Sequence, residues 1–233
     1  MKKILFLHFV IFFLFSICFC QTNVMIIHTN DNHGRLESFD IVGQKGVGGM
    51  AQRSTFIKEC KEEIEKLEGK LILLDCGDIN TGEPVSDMLN AEPDIKCMNM
   101  MGYEAMCVGN HEFDLPMEEA KKQISWAKFP FLSANVFYKT DGSYVFVPMI
   151  IKEVGDVKIG IFGITTPNTP YISTKGDNPD IVFENPRKVI PNIIKDLKDK
   201  VDFIVAMMHI DHPEVVNLAK EFQGIDMIIG GHT

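Results

Sequence analysis

The chain has 233 residues, 45% of them hydrophobic and 24% charged, with a net charge of −9. That length can bury one substantial core as a single domain, and the composition excludes low-complexity and repeat architectures. Without the first twenty residues the balance is 21 basic to 32 acidic, a net −11. This argues against a nucleic-acid polymer as substrate, although a small phosphate ester remains open where metal ions supply positive charge.

Lys2 and Lys3 precede an apolar stretch from Ile4 to Phe15, followed by Ser16-Ile17-Cys18-Phe19-Cys20. A basic start, a short apolar middle and small residues at its end predict a secretory signal peptide over 1–20, with a retained membrane anchor as the alternative. Bulky Ile17 and Phe19 speak against a lipid-modified cysteine. No other segment approaches the roughly twenty apolar residues that span a bilayer. The expectation is an exported protein, periplasmic or extracellular, with no stable membrane span after cleavage. Cys60, Cys76, Cys97 and Cys107 then remain, either paired in one of three connectivities or free, with Cys107 reading as a buried thiol.

The β-branched run Val24 to Thr29 predicts a strand, and the apolar spacing of 50–66 an amphipathic helix. A strand follows at Leu71 to Leu74, then a helical stretch over 84–101 interrupted at Pro93, then a short strand from Ala105 to Val108. Pro116 to Lys128 reads as a helix with Pro116 in its first turn. Phe131 to Ala134, Tyr144 to Glu153 and Val157 to Ile164 read as strands, the last two joined by a Gly155-Asp156 hairpin. Residues 165–185, rich in Thr, Pro, Asn, Asp and Gly, predict an irregular loop. Helices at Pro186 to Lys200 and Pro213 to Phe222 alternate with strands at Phe203 to Met208 and Asp226 to Ile229. This alternation predicts a layered α/β domain with its sheet covered on both faces.

Five polar clusters each follow a predicted strand: Asp31-Asn32-His33, Gly77-Asp78, Gly109-Asn110-His111-Glu112, His209 and Gly230-Gly231-His232. Ligands in open α/β sheets bind beyond the carboxyl ends of strands. The i, i+2 spacing lets Asp31 and His33 share one cation, and it equally fits a surface loop. Asp78 suits a metal or a helix N-cap; Asp75 has the same ambiguity and is not assigned. Asn110 offers a neutral oxygen ligand, while His111 and Asp114 can pair so that the acid favours a protonated ring. His209 lies nearer a strand end than His212, which reads as opening a surface helix.

The ordered set, with the softer Gly48-Gly49-Met50-Ala51 and Gly224-Ile225-Asp226 segments, resembles the calcineurin-like metallophosphoesterases, and among them the 5′-nucleotidase branch. The resemblance covers residue 24 onward. It implies a layered αββα sandwich over 21–233 and two divalent metal ions, with Mn, Zn, Fe, Co and Ca all compatible with the oxygen and imidazole donors. Asp31 and His33 would hold one ion, Asp78 would bridge both, and Asn110, His209 and His232 would hold the second. His111 with Asp114 would form the catalytic dyad, with Asn110 and His111 also binding substrate. The implied reaction is hydrolysis of a 5′-nucleotide to nucleoside and phosphate, or of another small phosphate ester to its alcohol and phosphate. The family pattern expects a further His or Gln at position 234 and a nucleotide-binding C-terminal domain, both outside this sequence, so the domain reads as truncated. Alternatives are a 2′,3′-cyclic-nucleotide phosphodiesterase, a UDP-sugar hydrolase, or a non-catalytic fragment.

Overall fold

The computed structural model describes residues 22–173 and 178–232. Strand β1 (Val24–Thr29) leads through a small hairpin, β2 (Phe39–Ile41) and β3 (Gln44–Val47), into helix α1 (Gly49–Lys66) and strand β4 (Lys70–Asp75). Helices α2 (Pro84–Met88) and α3 (Glu92–Met101) precede β5 (Ala105–Cys107). Helix α4 (Met117–Trp126) then precedes β6 (Phe131–Leu132) and β7 (Val136–Tyr138). Strands β8 (Met149–Val154) and β9 (Val157–Thr165) form a hairpin, followed by α5 (Thr169–Ile172) and β10 (Ile181–Phe183). The chain continues through α6 (Pro186–Leu197), β11 (Phe203–His209), α7 (His212–Glu221) and β12 (Met227–Gly231).

Two four-stranded sheets form the centre, in the orders β1-β4-β5-β6 and β12-β11-β9-β8. The first is parallel throughout, with Thr29 beside Asp75 at its carboxyl edge. The second is parallel except for its edge strand β8. Strand residues alternate between faces, and the core divides accordingly. Ile72, Leu74, Cys76, Ala105 and Cys107 pack between the sheets against Ile159, Ile161, Val205 and Met207. On the outer face of the first sheet, Leu73 and Met106 meet Ile57, Ile95 and Met98 of α1 and α3. On the outer face of the second, Phe162, Ile164, Ala206 and Met208 meet Val189, Ile190, Ile193 and Leu197 of α6 and Leu218 of α7. This is the expected αββα sandwich. Each such aliphatic side chain, fully buried, contributes about 1.5–3 kcal/mol.

Local chemistry explains the helix ends. Asn185 caps α6 by accepting from the Arg187 amide at 2.9 Å, and Pro186 occupies the first turn, where its missing N–H costs nothing. Helix α3 begins around Pro93 and stops at Gly102, whose φ of 85° suits a glycine terminus.

The structure corrects several expectations. Residues 165–185 are not all loop, because α5 and β10 lie within them. Strand β10 pairs with β7, and Phe183 stacks edge-on with Phe113 at 4.7 Å, contacts that the surrounding Pro and Asn residues conceal in the sequence. The strand expected from Tyr144 begins only at Met149, with Tyr144 and Val147 in isolated bridges. The strand expected over Phe131 to Ala134 covers only Phe131–Leu132, and the short β2–β3 hairpin was not anticipated. Pro116 stands at the cap of α4 rather than inside its first turn. The predicted signal segment lies outside the described residues. Cys60, Cys76, Cys97 and Cys107 are all free thiols, and Cys76 and Cys107 are buried. Among the described residues no helix is long and apolar enough to cross a membrane.

Candidate metal centre

The carboxyl ends of β1, β4, β5, β11 and β12 come together at one edge of the sandwich. The loops after β1 and β4 remain zipped beyond their strands. The Asp31 amide donates to the Gly77 carbonyl at 2.9 Å, and that of His33 to Asp78 at 3.0 Å. Across the two sheets, the His232 amide donates to the Asp31 carboxylate at 3.0 and 3.2 Å. All six side chains expected as metal ligands converge on this edge.

Asp78 is the shared element. Its Oδ2 lies 3.0 Å from His209 Nε2 and 4.0 Å from His33 Nε2. Asn110 Oδ1 reaches His209 Nε2 at 3.2 Å, and His33 Nε2 is 4.0 Å from Asp31 Oδ1. Two three-residue groups have ligand atoms within 4.8 Å of one another and could hold a metal ion: His33, Asp78 and His111, and Asp78, His209 and His232. Asp78 belongs to both. The donor set of carboxylates, imidazoles and one carboxamide fits divalent cations, because it supplies anionic oxygen and neutral nitrogen at the same points.

Two backbone carbonyls select which imidazole nitrogen faces inward. His209 Nδ1 donates to the Cys76 carbonyl at 2.6 Å, and His33 Nδ1 to that of Thr81 at 3.0 Å. Each bond commits the proton to Nδ1 and leaves Nε2 as an electron-pair donor, the usual support for a metal-binding histidine. His111 is oriented differently. Its Nδ1 meets Asp114 Oδ2 at 2.6 Å, and Ser173 Oγ donates to the other Asp114 oxygen at 3.0 Å. The expected His111–Asp114 pair is therefore formed.

Charge follows from these contacts. Burial alone would raise Asp78 and lower His209, but their mutual hydrogen bond and opposite charge outweigh it. Asp78 is thereby held below its ordinary carboxylate value and His209 is raised to about 9. Burial would also lower His111, yet Asp114 and the nearby carboxylates carry it above its usual value. Asp75 is pushed up to about 7 by burial, against the opposing hydrogen bonds from Thr29 and Gly77. It takes no part in the cluster and instead braces the ends of β1 and β4.

Four residues of the cluster have left-handed backbone: Asp31 and His33 at φ 49°, Asp78 at 58° and His232 at 69°. Each costs a non-glycine residue about 1 kcal/mol or more, and such strain persists only when surroundings enforce it. Arg53 donates to Asn32 Oδ1, Asn32 Nδ2 donates to Asp94 at 3.2 Å, and Ser86 Oγ donates to Asp94 at 2.7 Å. That buried brace holds the residue between Asp31 and His33. Sequence reasoning left Asn32, Arg53, Asp94 and Glu112 unassigned, and Glu112 carried the one visible signal, its place inside the 109–114 hexapeptide. Asp78 is no helix cap: the next helix starts at Pro84 with Glu83 before it. His212 does open a helix at the surface.

Glycine is required where backbones nearly touch. A Cβ on Gly109 would collide with Asp78 Oδ1 and lie 2.6 Å from the Asp78 amide; one on Gly231 would stand 2.8 Å from the Cys76 carbonyl. Gly109→Ala is expected to cost about 1–3 kcal/mol in urea unfolding and to lower metal content with it, because Asp78 must move. Unchanged stability and metal content would show that the loop yields freely.

Two sheets packed face to face, with carboxylate and imidazole donors gathered at their carboxyl edge, define an α/β protein with groups able to hold metal ions. The chain belongs to the calcineurin-like phosphoesterase family, whose pattern matches residues 24–233. It is 41% identical over 222 residues to a 5′-nucleotidase of Vibrio cholerae, covering 89% of this chain and 39% of that protein. A 5′-nucleotidase precursor from Thermus thermophilus superposes with a TM-score of 0.79 at 32% identity, over 89% of this chain and 41% of that one. The sulfate thiohydrolase SoxB from the same organism reaches a TM-score of 0.82 at 18% identity, over 91% of this chain and 48% of that one, a likeness of fold alone. The chain spans about two fifths of the length of this 5′-nucleotidase of Vibrio cholerae and of a UshA protein of Salmonella pullorum.

Proposed function

We propose that residues 21–233 form the metal-holding, hydrolytic part of an exported 5′-nucleotidase, preceded by a cleaved leader over 1–20. The substrate is a 5′-nucleotide and the products are nucleoside and inorganic phosphate. The observation that carries this reading is the Asp78 carboxylate, whose Oδ2 lies 3.0 Å from His209 Nε2 and 4.0 Å from His33 Nε2, with Asp31 Oδ1 4.0 Å from the same His33 nitrogen. That its relatives include proteins named 5′-nucleotidase supports reading the substrate as a nucleotide.

Asp31, His33 and Asp78 would hold one divalent cation, and Asp78, Asn110, His209 and His232 a second; Mn, Zn, Fe, Co and Ca all suit these donors. Bound there, such ions supply Lewis acidity toward phosphoryl oxygens and make water a competent nucleophile near neutral pH. The oxygen of water bonds to phosphorus while the ester P–O bond breaks, and the proton the water gives up to solvent is matched by the one the departing 5′-oxygen takes up. His111 serves the departing side. With Nδ1 tied to Asp114, its ring presents Nε2 and a positive charge to the developing alkoxide. Asn110, beside His111, helps seat the phosphoryl group.

Phosphate release from AMP, UDP-glucose and 2′,3′-cyclic AMP tests this reading. AMP is expected to be hydrolysed fastest, with the activity lost to a chelator and restored by Mn2+. A preference for UDP-glucose or the cyclic nucleotide, or activity indifferent to chelation, would replace it.

A further inference from the structure

Glu112 is 1% exposed and touches neither proposed cation position as a ligand, yet four backbone amides converge on its carboxylate. Its Oε2 accepts from Gly109 at 2.7 Å and Asp78 at 3.0 Å, and its Oε1 from Ile79 at 3.0 Å and Asn80 at 3.4 Å. Three of those amides belong to the loop after β4 and one to the loop after β5. The contact is returned, because Asp78 Oδ1 accepts from the His111 amide at 2.9 Å. Each loop therefore sends a carboxylate into the backbone of the other.

We propose that Glu112 is the positioning residue of the centre: its carboxylate locks the loops after β4 and β5 together and so aims the Asp78 side chain between the two imidazole groups. This rests on the two-cation reading above. The physical case has three parts. Burying a carboxylate is costly unless its lone pairs are filled, and here backbone donors fill them. Asp78 has φ 58°, a conformation its own backbone does not favour, and the amides of Asp78 and Ile79 are pinned on either side of it. Finally, the His111 amide fixes one oxygen of Asp78, so the other, Oδ2, is the one left facing His209 and His33. A carboxamide in place of Glu112 would turn a donor toward these amides and break part of the set, while an aspartate would be a methylene too short to reach both loops.

The role is distinct from general stability because the pinned groups are those that orient a shared ligand. Supports of this kind typically change metal affinity about 10- to 100-fold when altered. The test compares the whole protein with Glu112→Gln by Mn2+ titration, Mn2+ electron paramagnetic resonance, circular dichroism, and kcat and KM for p-nitrophenyl phosphate at rising Mn2+. The unaltered protein is expected to take up two spin-coupled Mn2+ ions. The variant should fold alike, bind Mn2+ about 10- to 100-fold more weakly, and lose kcat rather than KM. Its kcat should recover at excess Mn2+. A folded variant with unaltered Mn2+ affinity and coupling would overturn the role of Glu112 while leaving the two-cation reading in place. Failure of the unaltered protein to bind a coupled pair would overturn both. If the variant does not fold, amide exchange in the metal-free unaltered protein decides: slow exchange at Asp78, Ile79 and Gly109 supports the lock, and exchange at open-loop rates refutes it.

Discussion

Asp78→Asn is expected to lower phosphate-ester hydrolysis on the order of 10³-fold, corresponding to several kcal/mol of lost transition-state stabilisation. Metal content should fall from two ions per chain to one or fewer. The substitution keeps the size of the side chain and one carbonyl oxygen but removes the charge that two cations would share. The carboxylate lies 3.0 Å from His209 Nε2. An amide there can accept from the His111 backbone as Asp78 does, so the loop should keep its path and the fold its circular dichroism. The loss would then belong to the centre and not to folding. Metal analysis together with steady-state kinetics decides it, and a variant retaining both ions and full turnover would remove Asp78 from the shared position.

His111→Ala should produce the second large effect, a fall in kcat of about 10²- to 10⁴-fold. The pH profile separates this role from a ligand role. Burial acts to deprotonate the ring, but the Asp114 hydrogen bond and the surrounding carboxylates prevail and carry His111 above its ordinary value. The protonated form, the one the proposed role requires, therefore persists to higher pH than for a free imidazole. Activity that depends on it is present below the raised pKa and declines as pH rises through it. Asp114→Asn removes the strongest contact that raises it, so the alkaline limb of kcat should shift to lower pH, measured across roughly pH 5 to 9. An unmoved limb would show that another group controls the decline.

Much of the scaffold was legible because its strands are strongly patterned. Val24–Thr29 and Val157–Thr165 carry β-branched and apolar runs that mark buried strands without outside help. The strand at Ile181–Phe183 has the same residue types but only three positions, enclosed by turn-forming residues, and it exists through pairing with Val136–Tyr138. Within the centre, the ligand candidates were legible because each polar cluster interrupts an apolar run at a strand end. The brace of Arg53, Asn32 and Asp94 was not, since its members come from a helix, a loop and another helix with no common spacing.

The amino-acid sequence by itself determined which donor groups are available and that they stand beyond the carboxyl ends of parallel strands, because hydrophobic periodicity and residue chemistry are local properties. Only the tertiary structure decided that His209 and His33 turn Nε2 inward and that four residues of the cluster accept left-handed backbone. Those features depend on backbone carbonyls and amides at Cys76, Thr81 and Gly109 meeting side chains from distant strands. Peptide groups are the same at every residue, so their partners are set by packing rather than by any letter of the chain.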